Sequence, residues 1–282
     1  MIAMTVQEVD KLSFLQDWAQ WHAEHEAALA DEHGWLAITS VNWLTTEAQR
    51  FPDAPGAWLT GADGVIVVLD RGEDLRVDGE AASGQYAFEP IAERGGTNAE
   101  SGNAVIEVAK RCGHYIVRPR HPESALRLNF AGVPVYQPSQ DWVLTGRYVA
   151  FDQPRPTTVG SVVEGLHHVY DCPGQVEFEY EGQRLALTAF NGKSPGTYNL
   201  LFTDRTSGVT TYAANRSLHV AAPEADGLVT LDFNRAVNLP CAFTDFATCP
   251  LPPAENKLPI AVEAGEKLPY ERIQADSPFR VT

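Results

Sequence analysis

The 282-residue chain lacks any long apolar run. No window approaches the roughly 18 apolar residues that a membrane helix needs. The N-terminus, MIAMTVQEVDKL, has no basic n-region and no apolar stretch of signal-peptide length, so a cytoplasmic protein is expected. Basic side chains are scarce: 21 Lys and Arg stand against 37 Asp and Glu, a net charge of −16. A surface that negative repels phosphate backbones and anionic lipid, which disfavours nucleic-acid and membrane partners. It suits a small polar molecule as partner and leaves homo-oligomerisation open. Cysteine is sparse as well. In a reducing compartment Cys112, Cys172, Cys241 and Cys249 read as thiols, not as a disulfide framework. Also missing are a G-x-x-x-x-G-K-[ST] loop and a G-x-G-x-x-G turn, and the one G-x-S-x-G string, Gly192-Lys193-Ser194-Pro195-Gly196, leads into the β-prone run from Tyr198 and not into the helix that a nucleophile elbow needs. The two absences disfavour P-loop enzymes and nicotinamide enzymes, the context of that string disfavours an α/β-hydrolase, and no cofactor is implied. There is no internal repeat and no low-complexity tract.

What is present is enough apolar material for a sizeable core: 44% of residues are hydrophobic, too many for a disordered chain. From about Val6 to Ala30 there is neither Gly nor Pro, and Val9, Leu12, Leu15, Trp18, His22 and Leu29 recur at steps of three, four and seven. That spacing predicts one stripe on a helix, with Gly34 placed to cap its end. Beyond Gly34 the helical period gives way to short β-prone runs split by turn residues. Examples are Val65 to Asp70, then Ala104 to Lys110 and Tyr115 to Arg120 about Arg111-Cys112-Gly113-His114. Gln175 to Tyr180 and Arg184 to Phe190 flank Glu181-Gly182-Gln183, and Tyr198 to Thr203, Val209 to Tyr212 and Leu228 to Phe233 follow. Strands at spacings near ten residues predict a mainly β fold, a single antiparallel barrel or sandwich. Arg71 to Gly102, rich in Gly, Glu and Ala, reads as a looser excursion. The tail from Pro240 holds seven prolines, which cannot donate to a ladder. Its apolar residues predict an ordered coil strapped over the sheet. The expected organisation is therefore a helix over 1–33, one β domain over 34–239, a Pro-rich strap of the same domain over 240–275, and a frayed tail over 276–282.

The C-terminal third resembles the DUF1684 family of bacterial and archaeal proteins, whose function is not established. The similar pieces are Leu201-Phe202-Thr203-Asp204-Arg205-Thr206-Ser207-Gly208, Thr211-Tyr212-Ala213-Ala214-Asn215-Arg216 and Leu231-Asp232-Phe233-Asn234-Arg235-Ala236 with Asn238, Pro240 and Cys241. Thr248-Cys249-Pro250-Leu251-Pro252-Pro253, Asn256-Lys257-Leu258 and Ala264-Gly265-Glu266-Lys267 extend it, and Gly34-Trp35-Leu36 with Trp43-Leu44 is similar too. Where the family tends to read Ala-Tyr-Asn-Pro, this chain has Ala236-Val237-Asn238-Leu239. The resemblance implies a shared fold and a set of positions to watch, and no activity.

Two polar clusters stand out. On a strand from Leu228 to Asn234, Val229, Leu231 and Phe233 share one face, and Thr230, Asp232 and Asn234 share the other beside Arg235 and Asn238. Asp232 could serve as a general base, or Asp232 and Asn234 could satisfy backbone groups where the strand ends. Around the Ser207-Gly208 turn a hairpin is expected to gather Asp204, Thr210, Tyr212 and Arg216 at one end. An Arg with Asp and Tyr can clamp a carboxylate or an oxyanion, or form a buried pair. Cys241 and Cys249 are spaced too widely for a structural zinc pair. His22, His25 and Glu26 share a helix face, without a metalloenzyme signature. The expectation is a small polar ligand bound at one end of the sheet, with hydrolysis as an extension: Asp232 as base, Arg216 steadying charge, and Asp204, Tyr212, Asn234, Arg235 and Asn238 as ligand contacts. A metal-dependent hydrolase and a non-catalytic structural or partner-binding protein are the alternatives.

Overall fold

The computed structural model describes residues 6–270. The expected tail at 276–282, the end of the strap and the side chain of Val9 lie outside the described residues. The fold is mainly β, and every strand pairing is antiparallel. The strands form three sheets of six, seven and four, and none closes into a barrel among the described residues, so the expected single barrel or sandwich is not confirmed. The described chain divides into two compact units. One comprises the chain up to Glu26, Gly132–Phe243 and the stretch from Cys249; the other comprises Ala27–Ala131 and Thr244–Thr248. The division at 131/132 falls inside the 34–239 stretch expected as one domain.

The first unit is built on the seven-stranded sheet, ordered Leu228–Asp232, Val143–Gly160, His167–Tyr180, Gln183–Asn191, Tyr198–Phe202, Arg216–Val220, Val237–Asn238. Two long strands dominate it. Their register shifts between Ala150 and Arg155, and Pro154, which has no N–H to give a ladder, falls in that irregularity. Glu181 and Gly182, at φ 48° and 76°, turn the next hairpin in two residues. Trp142, Phe178, Leu200, Phe202 and Phe233 fill the core under this sheet. So do Leu258, Ile260, Val262 and Ala264 of the Pro-rich strap. The strap alternates buried and exposed residues from Asn256 to Ala264 without becoming a ladder strand. Each of its larger apolar side chains contributes about 1.5–3 kcal/mol by burial.

The second unit carries the other two sheets. The six-stranded one runs Asn42–Trp43, His114–Arg120, Ala104–Arg111, Gly96–Ser101, Arg76–Val77, Glu80–Ala81. The four-stranded one runs Gln49–Phe51, Ala54–Thr60, Val65–Val68, Gln85–Ala87. Trp58, Val67, Phe88, Ile106, Val108 and Val117 from both share one core. Cys112 and Gly113 make the two-residue turn of the expected hairpin, and the Glu93 carboxylate accepts both their N–H groups at 2.6 and 2.9 Å. The stretch expected as a loose excursion contributes four short strands, because its glycines supply the turns between them.

The N-terminal helix spans Val6–Leu29. Of its expected stripe, Leu29 is buried, Leu15, Trp18 and His22 are half-buried, and Leu12 is 45% exposed. Gly34 does not cap it in a left-handed conformation; its φ is −69°. Glycine is required there by close approach: a Cβ would lie 2.9 Å from the Leu29 carbonyl oxygen and 3.0 Å from that of Ala28.

Candidate functional site

Asp204 and Arg216 are brought together, but away from water. Arg216 opens the strand that pairs with Tyr198–Phe202, in register with Phe202. Val209 to Tyr212 is not the partner strand. Asp204 accepts from the Thr206 N–H at 2.7 Å and the Thr206 hydroxyl at 2.6 Å, and the Thr206 carbonyl accepts from the N–H groups of Val209, Thr210 and Thr211. These bonds fold 203–215 into turns, so Thr210 and Tyr212 share no strand face. The Arg216 guanidinium is 1% exposed. It donates to Asp204 Oδ2 at 2.8 Å and to the Val262 and Ala264 carbonyls of the strap. Residues so enclosed cannot touch a ligand, and the pair acts as a bolt between the sheet and the strap.

Asp232 ends its strand and accepts from the N–H of Asn234 at 3.1 Å and from its side-chain amide at 2.8 Å. This caps the short 3-10 turn Phe233–Arg235 and lifts Asn234 off the expected polar face. Asn234 is then spent on Ser139, with its side-chain oxygen accepting from the N–H at 2.9 Å and its amide donating to the carbonyl at 2.8 Å. Arg235 donates to Asp232 at 3.1 Å, pairs with Asp17 of the helix and lies over the Trp21 ring. Asn238 gives its N–H to Glu266 Oε2 at 2.6 Å and its amide to the Lys267 carbonyl at 2.8 Å. Asp232 and Arg216 therefore serve separate knots, and both knots fasten main chain.

Sequence reasoning missed Glu266. Its carboxylate is buried, and Oε1 lies 3.0 Å from His25 Nε2, near enough for an ion pair with a protonated ring but angled away from a hydrogen bond. His25 stacks on Trp21, and His22 lies 3.2 Å from Glu26. His168 is buried. Asn256 was missed as well. Fully buried, it accepts from the Thr188 N–H at 2.7 Å and donates to the Thr188 and Leu201 carbonyls at 2.9 and 2.8 Å. Among the described residues no group of three His, Cys, Asp or Glu side chains is placed to hold a metal ion.

Cys241 and Cys249 are buried thiols in hydrogen-bonding contact, with the Tyr212 hydroxyl beside Cys241. The bond to Cys249, then burial, push the Cys241 thiol well above its usual range, against a smaller downward pull from Tyr212.

The second unit carries two further polar groups that the sequence did not single out. Arg118 and Glu107 face each other across the hairpin and join at 2.5 and 3.1 Å. Arg120 reaches the same carboxylate at 2.6 Å, Arg111 at 3.4 Å, and the Trp35 ring lies 5.1 and 5.0 Å from the guanidinium carbons of Arg118 and Arg120. Burial alone would raise Glu107, but the guanidiniums prevail and hold it at about 2. The other group lines an open cleft of about 630 Å³. Strand ends and turns build it. Phe51 and Asp53 come from the turn joining Gln49–Phe51 to Ala54–Thr60, Ser101 from the end of its strand, and His121 from just beyond Arg120. Arg50 joins Glu73 at 2.7 Å and Asp70 at 2.5 Å. That bond, with the Asp70 and Gly56 N–H groups, holds Glu73 at about 2. His121 Nδ1 accepts from the Glu123 N–H at 3.1 Å, which places the neutral ring's proton on Nε2.

Residues 128–267, which carry the bolts and knots of the first unit, match the model of a family described as a protein of unknown function, DUF1684. Over this stretch the chain belongs to the DUF1684 family. The DUF1684 stretch takes in the Arg216–Asp204 bolt, the Asn238–Glu266 contact and the Cys241–Cys249 pair; the cleft lies outside it. A similar solved structure is an uncharacterized protein of Haloarcula marismortui determined by solution NMR, 29% identical over 52% of this chain and 80% of that one, with a TM-score of 0.42. No curated protein matches the chain. No helix among the described residues is long and apolar enough to cross a membrane.

Proposed function

We propose that this protein binds a small polar ligand in the second unit's cleft, at the strand ends lined by Arg50, Phe51, Asp53, Glu73, Ser101 and His121. The observation that carries this reading is the cleft's combination of size and lining. A volume of about 630 Å³ falls within the range of small-molecule sites. Its polar groups come from several turns and converge on one hollow. Strand-end turns are the usual place for such groups, since a rigid sheet positions them while leaving them open to solvent.

The lining also narrows the ligand's chemistry. Arg50 is already matched by Glu73 and Asp70, so the cleft offers little uncompensated positive charge to an anion. Asp53 and Glu73 supply acceptors, His121 Nε2–H a donor, and Phe51 a flat apolar wall. This set suits a neutral or cationic molecule bearing hydroxyl or amine groups. A thermal-shift screen of the full chain against sugars, polyols, polyamines and organic acids tests it, because a ligand that binds only the native state raises the melting temperature. Polyols or amines should stabilise the wild type. Asp53→Asn and His121→Ala should melt like the wild type without ligand and lose that shift. A shift that both variants retain, or one seen only with organic acids, overturns the proposal.

A further inference from the structure

Cys241 and Cys249 are each held in place by bonds that do not involve the other. Cys241 lies in the 3-10 turn Pro240–Ala242, closed by the Ala242 N–H on the Leu239 carbonyl at 2.9 Å and the Phe243 N–H on the Pro240 carbonyl at 3.0 Å. The Cys249 carbonyl accepts from the Val162 N–H and the Ser161 hydroxyl, both at 3.1 Å. The next carbonyl, Pro250, accepts from the Asn215 amide at 2.6 Å. Two anchored backbones thus hold two sulfurs in contact within one short loop, and neither sulfur is in a disulfide. Packing alone does not require this, since two apolar side chains would fill the same space.

We propose that Cys241 and Cys249 form an oxidation site, at which a peroxide converts the pair to an intramolecular disulfide. Cys249, at 7% exposed, is the sulfur an oxidant reaches first; Cys241 is fully enclosed. Cys249 Sγ attacks one oxygen of hydrogen peroxide, the O–O bond breaks, and one water leaves behind a sulfenic acid. Cys241 Sγ attacks that sulfur, the S–O bond breaks, and the hydroxyl leaves as a second water with the Cys241 proton. Two thiols and one hydrogen peroxide become one disulfide and two waters; the sulfurs lose two electrons and the peroxide gains them. Cys241, fully enclosed and beside Cys249, is the resolving partner because it meets the oxidised sulfur and not the oxidant. The sulfurs must close from hydrogen-bonding contact to about 2 Å, a movement that the loop between them can absorb.

The test is peroxide treatment of the full-length wild type, followed by intact mass and peptide mapping. The expected product is about 2 Da lighter, carries a Cys241–Cys249 cross-link and is restored by dithiothreitol. Cys112→Ser should give the same product. Cys241→Ser should instead trap a dimedone-reactive sulfenic acid on Cys249. Oxygen added to Cys249 of the wild type without a cross-link, a linkage through Cys112, or an unchanged pair while Cys112 is oxidised each overturn the proposal. The wild-type map decides it even if a serine variant fails to fold.

Discussion

Arg216 holds a full charge at 1% exposure, where water cannot solvate it. Such a charge is tolerated only with close partners, and here Asp204 and two carbonyls of the strap provide them. The geometry makes the two carriers unequal to an exposed pair: deleting one leaves the other buried and uncompensated. Arg216→Ala or Asp204→Ala should therefore cost about 3–5 kcal/mol in urea unfolding. Replacing both together with well-packed apolar residues should recover a large part of that loss. If instead either single variant unfolds like the wild type, the pair is not a bolt. The residue types alone pointed equally to a clamp and to a bolt, because an Arg, an Asp and a Tyr look the same in either role. What separates them is whether main-chain carbonyls of residues some 46 to 50 positions away arrive beside the guanidinium, and that is set by tertiary packing.

At the scale of elements, legibility followed the range of the forces involved. The Val6–Leu29 helix and the hairpins turning at Cys112-Gly113 and Glu181-Gly182 are specified by neighbours in sequence, and their period and turn residues were readable. The partner of Tyr198–Phe202 was misread because a turn held by Asp204 and Thr206 carries the chain past Val209–Tyr212 to Arg216–Val220. Asp232 stood in the right strand, yet its cap on Asn234 turned the next residues out of the pleat. The cleft was invisible because Asp53, Ser101 and His121 have no common spacing; three turns meet only once the sheets form. Gly34 shows the same limit on a smaller scale: its place at the helix end was legible, its reason was not. Gly34→Ala must push a methyl against two helix carbonyls, so it should lower stability by about 1–3 kcal/mol, measured by chemical denaturation. A neutral result would mean that the helix end relaxes freely.

Over the whole molecule, the excess of acid sets the charge on the surface, while two ion-paired carboxylates, Glu107 and Glu73, tie stability to pH. The chain has net charge −16 near neutrality and reaches zero near pH 4.8. Solubility should be lowest there, since net repulsion between molecules vanishes. Folding stability should not follow the same curve. Glu107 and Glu73 have folded values near 2, below the 4.5 of the free side chain. A carboxylate depressed by folding stabilises the native state above its unfolded value and loses that contribution as pH falls through the folded one. The loss should therefore run from about 4.5 down to about 2. Glu107 supplies the larger part: it is enclosed among three guanidiniums, while Glu73 shares its charge with solvent and contributes about 1 kcal/mol. Denaturant titrations at steps of pH should show stability nearly level through the solubility minimum and falling steeply only below it. Glu107→Gln should remove most of that slope, because the group that titrates is gone, and should lower stability at neutral pH by about 3–5 kcal/mol, because the guanidiniums lose their counter-charge. A variant that keeps the wild-type acid limb would place the titration on other carboxylates and leave the Glu107 cluster with no part in it.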